Sequence, residues 1–266
     1  MHPTVNIATR AAREAGKLIR RYVDRVDMLD ISTKGRNDFV TEIDRQAEAE
    51  IIRVISGAYP DHSILAEESG QRSADTTHEW VIDPLDGTTN FLHGLPHFAV
   101  SIAYRQNGRL ESGLVYDPLR EEIFVASRGQ GAHLNDRRIR VSKRTSMDGA
   151  LLGTGFPFRL PQHMDAYLAT LRALMNQCGD VRRAGAAALD LAYVAAGRLD
   201  GFWEIGLAEW DLAAGCLLVQ EAGGLVGDFS GGNQHMKSGN VIAGTPKVFK
   251  GILQSIHPVL PPALAV

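Results

Sequence analysis

Trp80-Val81-Ile82-Asp83-Pro84-Leu85-Asp86-Gly87-Thr88-Thr89-Asn90-Phe91 joins a strand-like apolar run to two acids three positions apart, a glycine and two hydroxyls. Carboxylate oxygens suit hard divalent cations such as Mg²⁺. A glycine lets the backbone approach an anion closely, and free N–H groups at a turn or helix start bind phosphate. Without a cation Asp83 and Asp86 would repel, and one would tend to stay protonated. The stretch therefore predicts a metal and phosphate site where a strand ends.

The flanking sequence predicts interleaved helices and strands. Val5, Ala8, Ala12, Ala15, Ile19 and Tyr22 recur at spacings of three and four, one apolar stripe on a helix. A polar loop is expected over 32–38, then Thr41-Glu42-Ile43-Asp44 resembles a capping box with Asp in place of Glu. The helix that follows runs through Ala47, Ile51, Val54, Ile55 and Ala58 and stops at Tyr59-Pro60. Ser63–Ala66 reads as a short buried strand ended by Glu67-Glu68, and 71–79 as a polar loop. From 98 to 142 a β-meander is expected, with Asn107-Gly108 as a hairpin turn. Helices are predicted over 164–178, 184–197 and 212–222, and strands over 150–154, 202–205, 223–229 and 241–243. The antiparallel meander favours a layered α+β fold over a purely parallel one.

Of the 266 residues 44% are hydrophobic and 22% charged, with a net charge of −3. That is an ordinary globular composition. It argues against nucleic-acid binding through a generally basic surface and leaves a local patch open. Cys178 and Cys216 form no CxxC pair or zinc spacing, so reduced core thiols in a reducing cytoplasm are expected. The N-terminal residues lack a secretory apolar region, and no run of 18 apolar residues occurs. A cytoplasmic protein with no membrane partner is the expectation.

Rival phosphate chemistries fail on spacing. A phospho-aspartate mechanism needs acids two apart before Gly-Thr, but Pro84 holds that position and the acid is at Asp83. Cys178 lies one residue short of a C-x5-R loop, and His93 and His97 flank Gly and Pro and not a helical zinc motif. No G-x-S-x-G elbow is present. Water activated by metal remains. Asp44, Glu67, Glu68 and Asp211, each at an element end, are further acidic candidates, though acids at helix starts also complement the dipole.

The stretch 80–91 resembles the first signature of the inositol monophosphatase family, and Trp210-Asp211-Leu212-Ala213-Ala214-Gly215 its second. Glu67-Glu68-Ser69 and Asn37–Asp44 match two further segments in the same order. Met1–Ala8, Gly155-Phe156-Pro157-Phe158 and Ala188–Arg198 are similar to the bacterial SuhB-type branch. The resemblance implies a layered αβαβα sandwich over 1–266, with 1–145 carrying the metal motifs and 146–266 completing the site. It implies a lithium-sensitive, Mg²⁺-dependent inositol-phosphate phosphatase and a homodimer. Glu67, Asp83, the Leu85 carbonyl and Thr88 would hold one ion; Asp83, Asp86 and Asp211 a second; Glu67 and water a weaker third. Asp44, Glu67 and Thr88 would serve catalysis, with Asp44 and Thr88 orienting the attacking water. Asp86, Gly87, Thr88, Ala187, Glu204 and Asp211 would contact the substrate. Ala186 departs from the Thr or Ser common in the family, which weakens an inositol preference. Metal motifs handle only phosphate, so fructose 1,6-bisphosphate, 3′-phosphoadenosine 5′-phosphate and histidinol phosphate stay open as substrates.

The same branch implies a role in ribosomal RNA antitermination, with RNA polymerase and a Nus factor as partners. Arg182 and Arg183 are candidates for a partner or dimer surface, or for pairing with acids. Residues 137–144 hold five cations, in a pattern that also suits the wet face of an edge strand.

Overall fold

A computed structural model describes residues 2–23, 25, 31–35, 38–72 and 77–265, with the backbone course alone for 31–35 and 38–41. The first helix, α1 (Thr4–Tyr22), buries the stripe of Val5, Ala8, Ala12, Ala15 and Ile19. A small hairpin of β1 (Ile31–Gly35) and β2 (Asp38–Thr41) leads into α2 (Glu42–Ala58). The expected polar loop over 32–38 is thus largely strand, because backbone pairing satisfies its N–H and C=O groups whatever the side chains. The expected cap at Thr41 falls on a side chain outside the described residues.

Next come β3 (Ser63–Ala66), β4 (Gly70–Arg72), β5 (His78–Asp86), the short α3 (Thr88–Leu92), β6 (Ala99–Gln106), β7 (Arg109–Asp117), β8 (Glu122–Ser127), β9 (Gly131–Leu134) and β10 (Arg137–Ile139). They form one eight-stranded sheet in the order β10-β9-β8-β7-β6-β5-β3-β4, antiparallel except where β3 runs parallel to β5. The meander is as expected, and Asn107 (φ 50°) and Gly108 (φ 75°) give the tight turn. Gln71 and Arg72 pair in β4 and His78 and Glu79 in β5, so the region taken as loop contributes to two strands.

The second half supplies β11 (Leu151–Thr154), α4 (Met164–Met175), β12 (Asp180–Arg182), α5 (Ala187–Ala195), β13 (Gly201–Glu204), α6 (Glu209–Glu221), β14 (Leu225–Gly227), α7 (His235–Ser238), β15 (Val241–Gly244) and α8 (Pro246–Ile256). Its five-stranded sheet runs β12-β11-β13-β15-β14.

Alternation along β5 sets the stacking. Trp80 and Ile82 pack with α1 and α2, whereas Val81 packs with Leu189 of α5 and Leu217 of α6. Phe202 and Ala243 of the second sheet cover the far side of α5 and α6. Trp203 and Ile242 face the other way, onto Tyr167 of α4 and Val248 and Ile252 of α8. The layers are therefore helix, sheet, helix, sheet, helix, as expected. α5 and α6 lie between two sheets, so Asp211–Val219 is buried on every side. Small residues let these layers approach: a Cβ on Gly113 of β7 would lie 2.9 Å from Ala214 Cα. Among the described residues no helix is long and apolar enough to cross a membrane.

Gly113→Ala is expected to push β7 off α6 and destabilise the fold by about 1–3 kcal/mol. A denaturant midpoint equal to that of the unsubstituted chain would show that this spacing is not fixed.

Candidate active site

Parity along β5 turns Asp83, like Val81, toward α5 and α6. Asp83 lies inside β5 and Asp86 is its last residue, because the strand runs past the apolar stretch and its pairing with β6 continues to Asp86 across a register shift between them. That shift brings two acids three apart to one place. Asp83 Oδ1 accepts from Leu85 N (2.9 Å) and Asp86 Oδ2 from Ala188 N at the start of α5 (2.7 Å). The second bond spans the two chain halves and joins a carboxylate to a helix start, where the dipole favours it.

Asp211 stands in the first turn of α6 and reaches back to Ala208 N (2.8 Å). Arg105 of β6 holds that turn against the sheet by bridging buried Glu79 and Glu209 (2.5 Å to the latter). Ser101, opposite Asp83 in β6, adds a bond to Trp210 O (3.2 Å). Carboxylate oxygens of Asp83, Asp86 and Asp211 then lie within 4.8 Å of one another. Glu67 lines the same cleft, its N–H bonded to Ile82 O (3.1 Å). Beside it, Glu68 N donates to buried Glu48 of α2 (2.8 Å). Thr88 Oγ1 lies 3.0 Å from buried Asp44 and 3.1 Å from Leu85 O. Gly87, with φ 93°, has His97 O 3.0 Å from where a Cβ would sit, so only glycine fits this turn without strain.

Burial pushes Asp83 well above the usual carboxylate range, and the charges of Glu67, Asp86 and Asp211 add to it. Burial and Asp211 do the same for Asp86. Asp211 is pushed up to about 6 by burial and by Glu67. An all-oxygen donor set under this mutual repulsion matches a hard divalent cation. The thiols offer nothing comparable: burial raises both, Cys216 to about 12.

The cleft holds about 360 Å³ and continues from the acids to a second wall from the later half of the chain. Glu204 ends β13, its carboxyl raised by burial, Asp190, Asp211 and Asp86. A Cβ on Gly155 would lie 1.9 Å from Glu204 Oε1, so this glycine makes the room Glu204 occupies. Ala186 and Ala187 line the cleft at the start of α5. Arg183 also lines it, over the rings of Phe156 (5.2 Å) and Phe158 (5.4 Å), whereas Arg182 pairs with Asp180 (2.6 Å). Of the basic run, Arg140 bonds Glu221 O (3.2 Å) and Arg144 faces Asp200 (3.6 Å).

Sequence reasoning missed Asp190, the aromatic seat of Arg183 and Arg159, which lines the cleft and whose charge favours ionised Asp211. The signal for Asp190 was an acid amid Ala187-Ala188-Leu189 and Leu191-Ala192.

Residues 1–260 match the model of the "Inositol monophosphatase family". A relative named Nus factor SuhB from Pseudomonas aeruginosa is 57% identical over 269 residues, covering 99% of each chain. The crystal structure of extragenic suppressor protein suhB from Bartonella henselae aligns with a TM-score of 0.92 at 46% identity, over 95% of this chain and 98% of that one. An inositol monophosphatase from Anabaena aligns at 0.86 and 37% identity, over 97% and 96%.

The acids raised in the folded state hold protons that the unfolded chain releases above about pH 4, so their repulsion costs stability increasingly as pH rises. Asp83→Asn removes one charge and keeps the acceptor for Leu85 N. In chelator it is expected to be more stable than the unsubstituted chain at pH 8, the gap closing as pH falls toward 4. Denaturant titrations at several pH values check this; a gap that widens in acid would contradict it.

Proposed function

Because the chain belongs to the inositol monophosphatase family, we propose that it is a Mg²⁺-dependent phosphomonoesterase acting on inositol 1-phosphate and related polyol phosphates. The observation that carries this reading is the meeting of Asp83, Asp86 and Asp211, three carboxylates within 4.8 Å, beside the Thr88–Asp44 pair. Glu67, Asp83, the Leu85 carbonyl, Thr88, Asp86 and Asp211 would hold two or three ions. When bound, Mg²⁺ supplies neutralisation of phosphate charge, a lower pKa for the attacking water and stabilisation of the leaving alkoxide.

The chain's own groups do the rest. Thr88 Oγ1 accepts a proton from the attacking water and passes its own to Asp44, 3.0 Å away. Amides at Gly87 and Thr88 hold phosphate oxygens, since no side chain crowds that turn. Glu204 and Ala187 meet the ring hydroxyls, and the 156–160 segment walls the cleft from solvent. Ala186 offers no hydroxyl, so hold on the alcohol falls to these neighbours. A homodimer belongs to the same proposal; Arg182, exposed on the edge strand β12, is suited to meet a partner subunit.

A second role rests on the relatives' name. A Nus factor acts in transcription, and an identity of 57% over 99% of both chains supports a similar contact with RNA polymerase or a Nus protein. Arg137 and Lys143 are exposed and are the cations of the 137–144 run best suited to it.

Asp83→Asn is expected to abolish Mg²⁺-dependent phosphate release from inositol 1-phosphate, a loss of at least about a thousandfold, since one carboxylate serves both ion sites. Retained activity would refute the mechanism. The same variant is expected to capture RNA polymerase or Nus proteins as well as the unsubstituted chain does, while Arg137→Glu with Lys143→Glu weakens capture. Capture indifferent to those cations would remove them from the second role.

A further inference from the structure

We propose that Asp190 is a specificity-determining residue whose carboxyl group receives a hydroxyl of the substrate's alcohol part, alongside Glu204. The inference rests on reading the cleft as a phosphomonoesterase site. Asp190 stands in the first turn of α5, 2% exposed, and lines the cleft. Its backbone N–H is satisfied by Ala186 O (3.0 Å). Its carboxyl oxygens have no hydrogen-bond partner among the described residues. His97 Nε2 is 3.9 Å away, too far for a hydrogen bond, and lacks a partner itself. A carboxylate this close to a cleft keeps its acceptor capacity for whatever enters the cleft. An acceptor that also borders a cleft calls for a donor from the ligand.

The chemistry of that donor follows from the surroundings. Arg183 already lends positive charge to both Asp190 and Glu204, and its guanidinium is kept in place by Phe156 and Phe158. A second cation is not needed there. Asp190 and Glu204 instead offer two neighbouring acceptors to neutral donors, which suits a polyol with adjacent hydroxyls. A site that hydrogen-bonds a substrate hydroxyl discriminates strongly against analogues without one, because its polar groups are then left unpaired.

The test compares inositol 1-phosphate with phenyl phosphate, which has no hydroxyl to offer, for the unsubstituted chain, Asp190→Asn and Asp190→Leu, with Mg²⁺. For inositol 1-phosphate KM is expected to rise about tenfold in Asp190→Leu and less in Asp190→Asn, with kcat nearly unchanged. For phenyl phosphate both constants stay as they were. Equal losses on both esters, or an unmoved KM for inositol 1-phosphate, would overturn the proposal. Binding of myo-inositol alone, read as a melting-temperature shift, follows Asp190 without turnover. The shift is expected in the unsubstituted chain and lost in Asp190→Leu; equal shifts, or none in either, would also overturn it. Failure of the unsubstituted chain to hydrolyse either ester refutes the phosphatase reading separately.

Discussion

Mutual repulsion among carboxylates is the constraint on which this molecule is built. Glu67, Asp83, Asp86 and Asp211 arrive from three segments of chain and share one cleft, where burial makes the charges of the three aspartates harder to bear. Left to themselves they would separate. Backbone donors hold the aspartates: Leu85 N on Asp83, Ala188 N on Asp86 and Ala208 N on Asp211. Each of these amides orients a carboxylate while leaving it able to serve the cleft. The Arg105 bridge between Glu79 and Glu209 stops the first turn of α6 from drifting off the sheet. Packing of small residues between the layers serves the same end, since a wider gap would move Asp211 away from β5.

Much of this was legible in the sequence because the informative residues are local. The 3.6-residue stripe of α1, the Asn107-Gly108 turn and the acids before Gly87 each need only a few neighbours to interpret. The helix α8 went unpredicted although Thr245 and Pro246 mark its start and Val248, Phe249, Ile252 and Ile256 its buried face. Helix α4 stops at Met175, three residues short of the expected end. The position of Asp83 and Asp86 within β5 was hidden for another reason: a register shift belongs to the pairing with β6, and one strand alone cannot reveal it. Asp190 and Arg183 escaped because their meaning lies in what surrounds them, Glu204 and the Phe156 and Phe158 rings, which come from distant parts of the chain.

The two walls of the cleft differ in how they are made. The acid wall is anchored by backbone bonds within β5 and at two helix starts. The opposite wall draws on the side chains of Arg183, Asp190 and Glu204, set by ring contact, charge and the room that Gly155 leaves. On the proposed reaction, the first wall meets the phosphate common to all such esters and the second the alcohol that distinguishes them. Substitutions in the second wall can therefore alter which alcohol fits without disturbing the acids.

Asp86 meets Ala188 across 102 residues, and Asp211 comes later still. During synthesis the first eight-stranded sheet can pair before α6 exists, yet the acid cluster cannot close until that helix has emerged. A ribosome-bound chain shorter than this carries the acids of β5 without their covering layer, exposing the apolar face that Val81, Ala103 and Val115 present to α5 and α6. That interval, set by connectivity and not by final stability, is when the nascent protein is most open to aggregation.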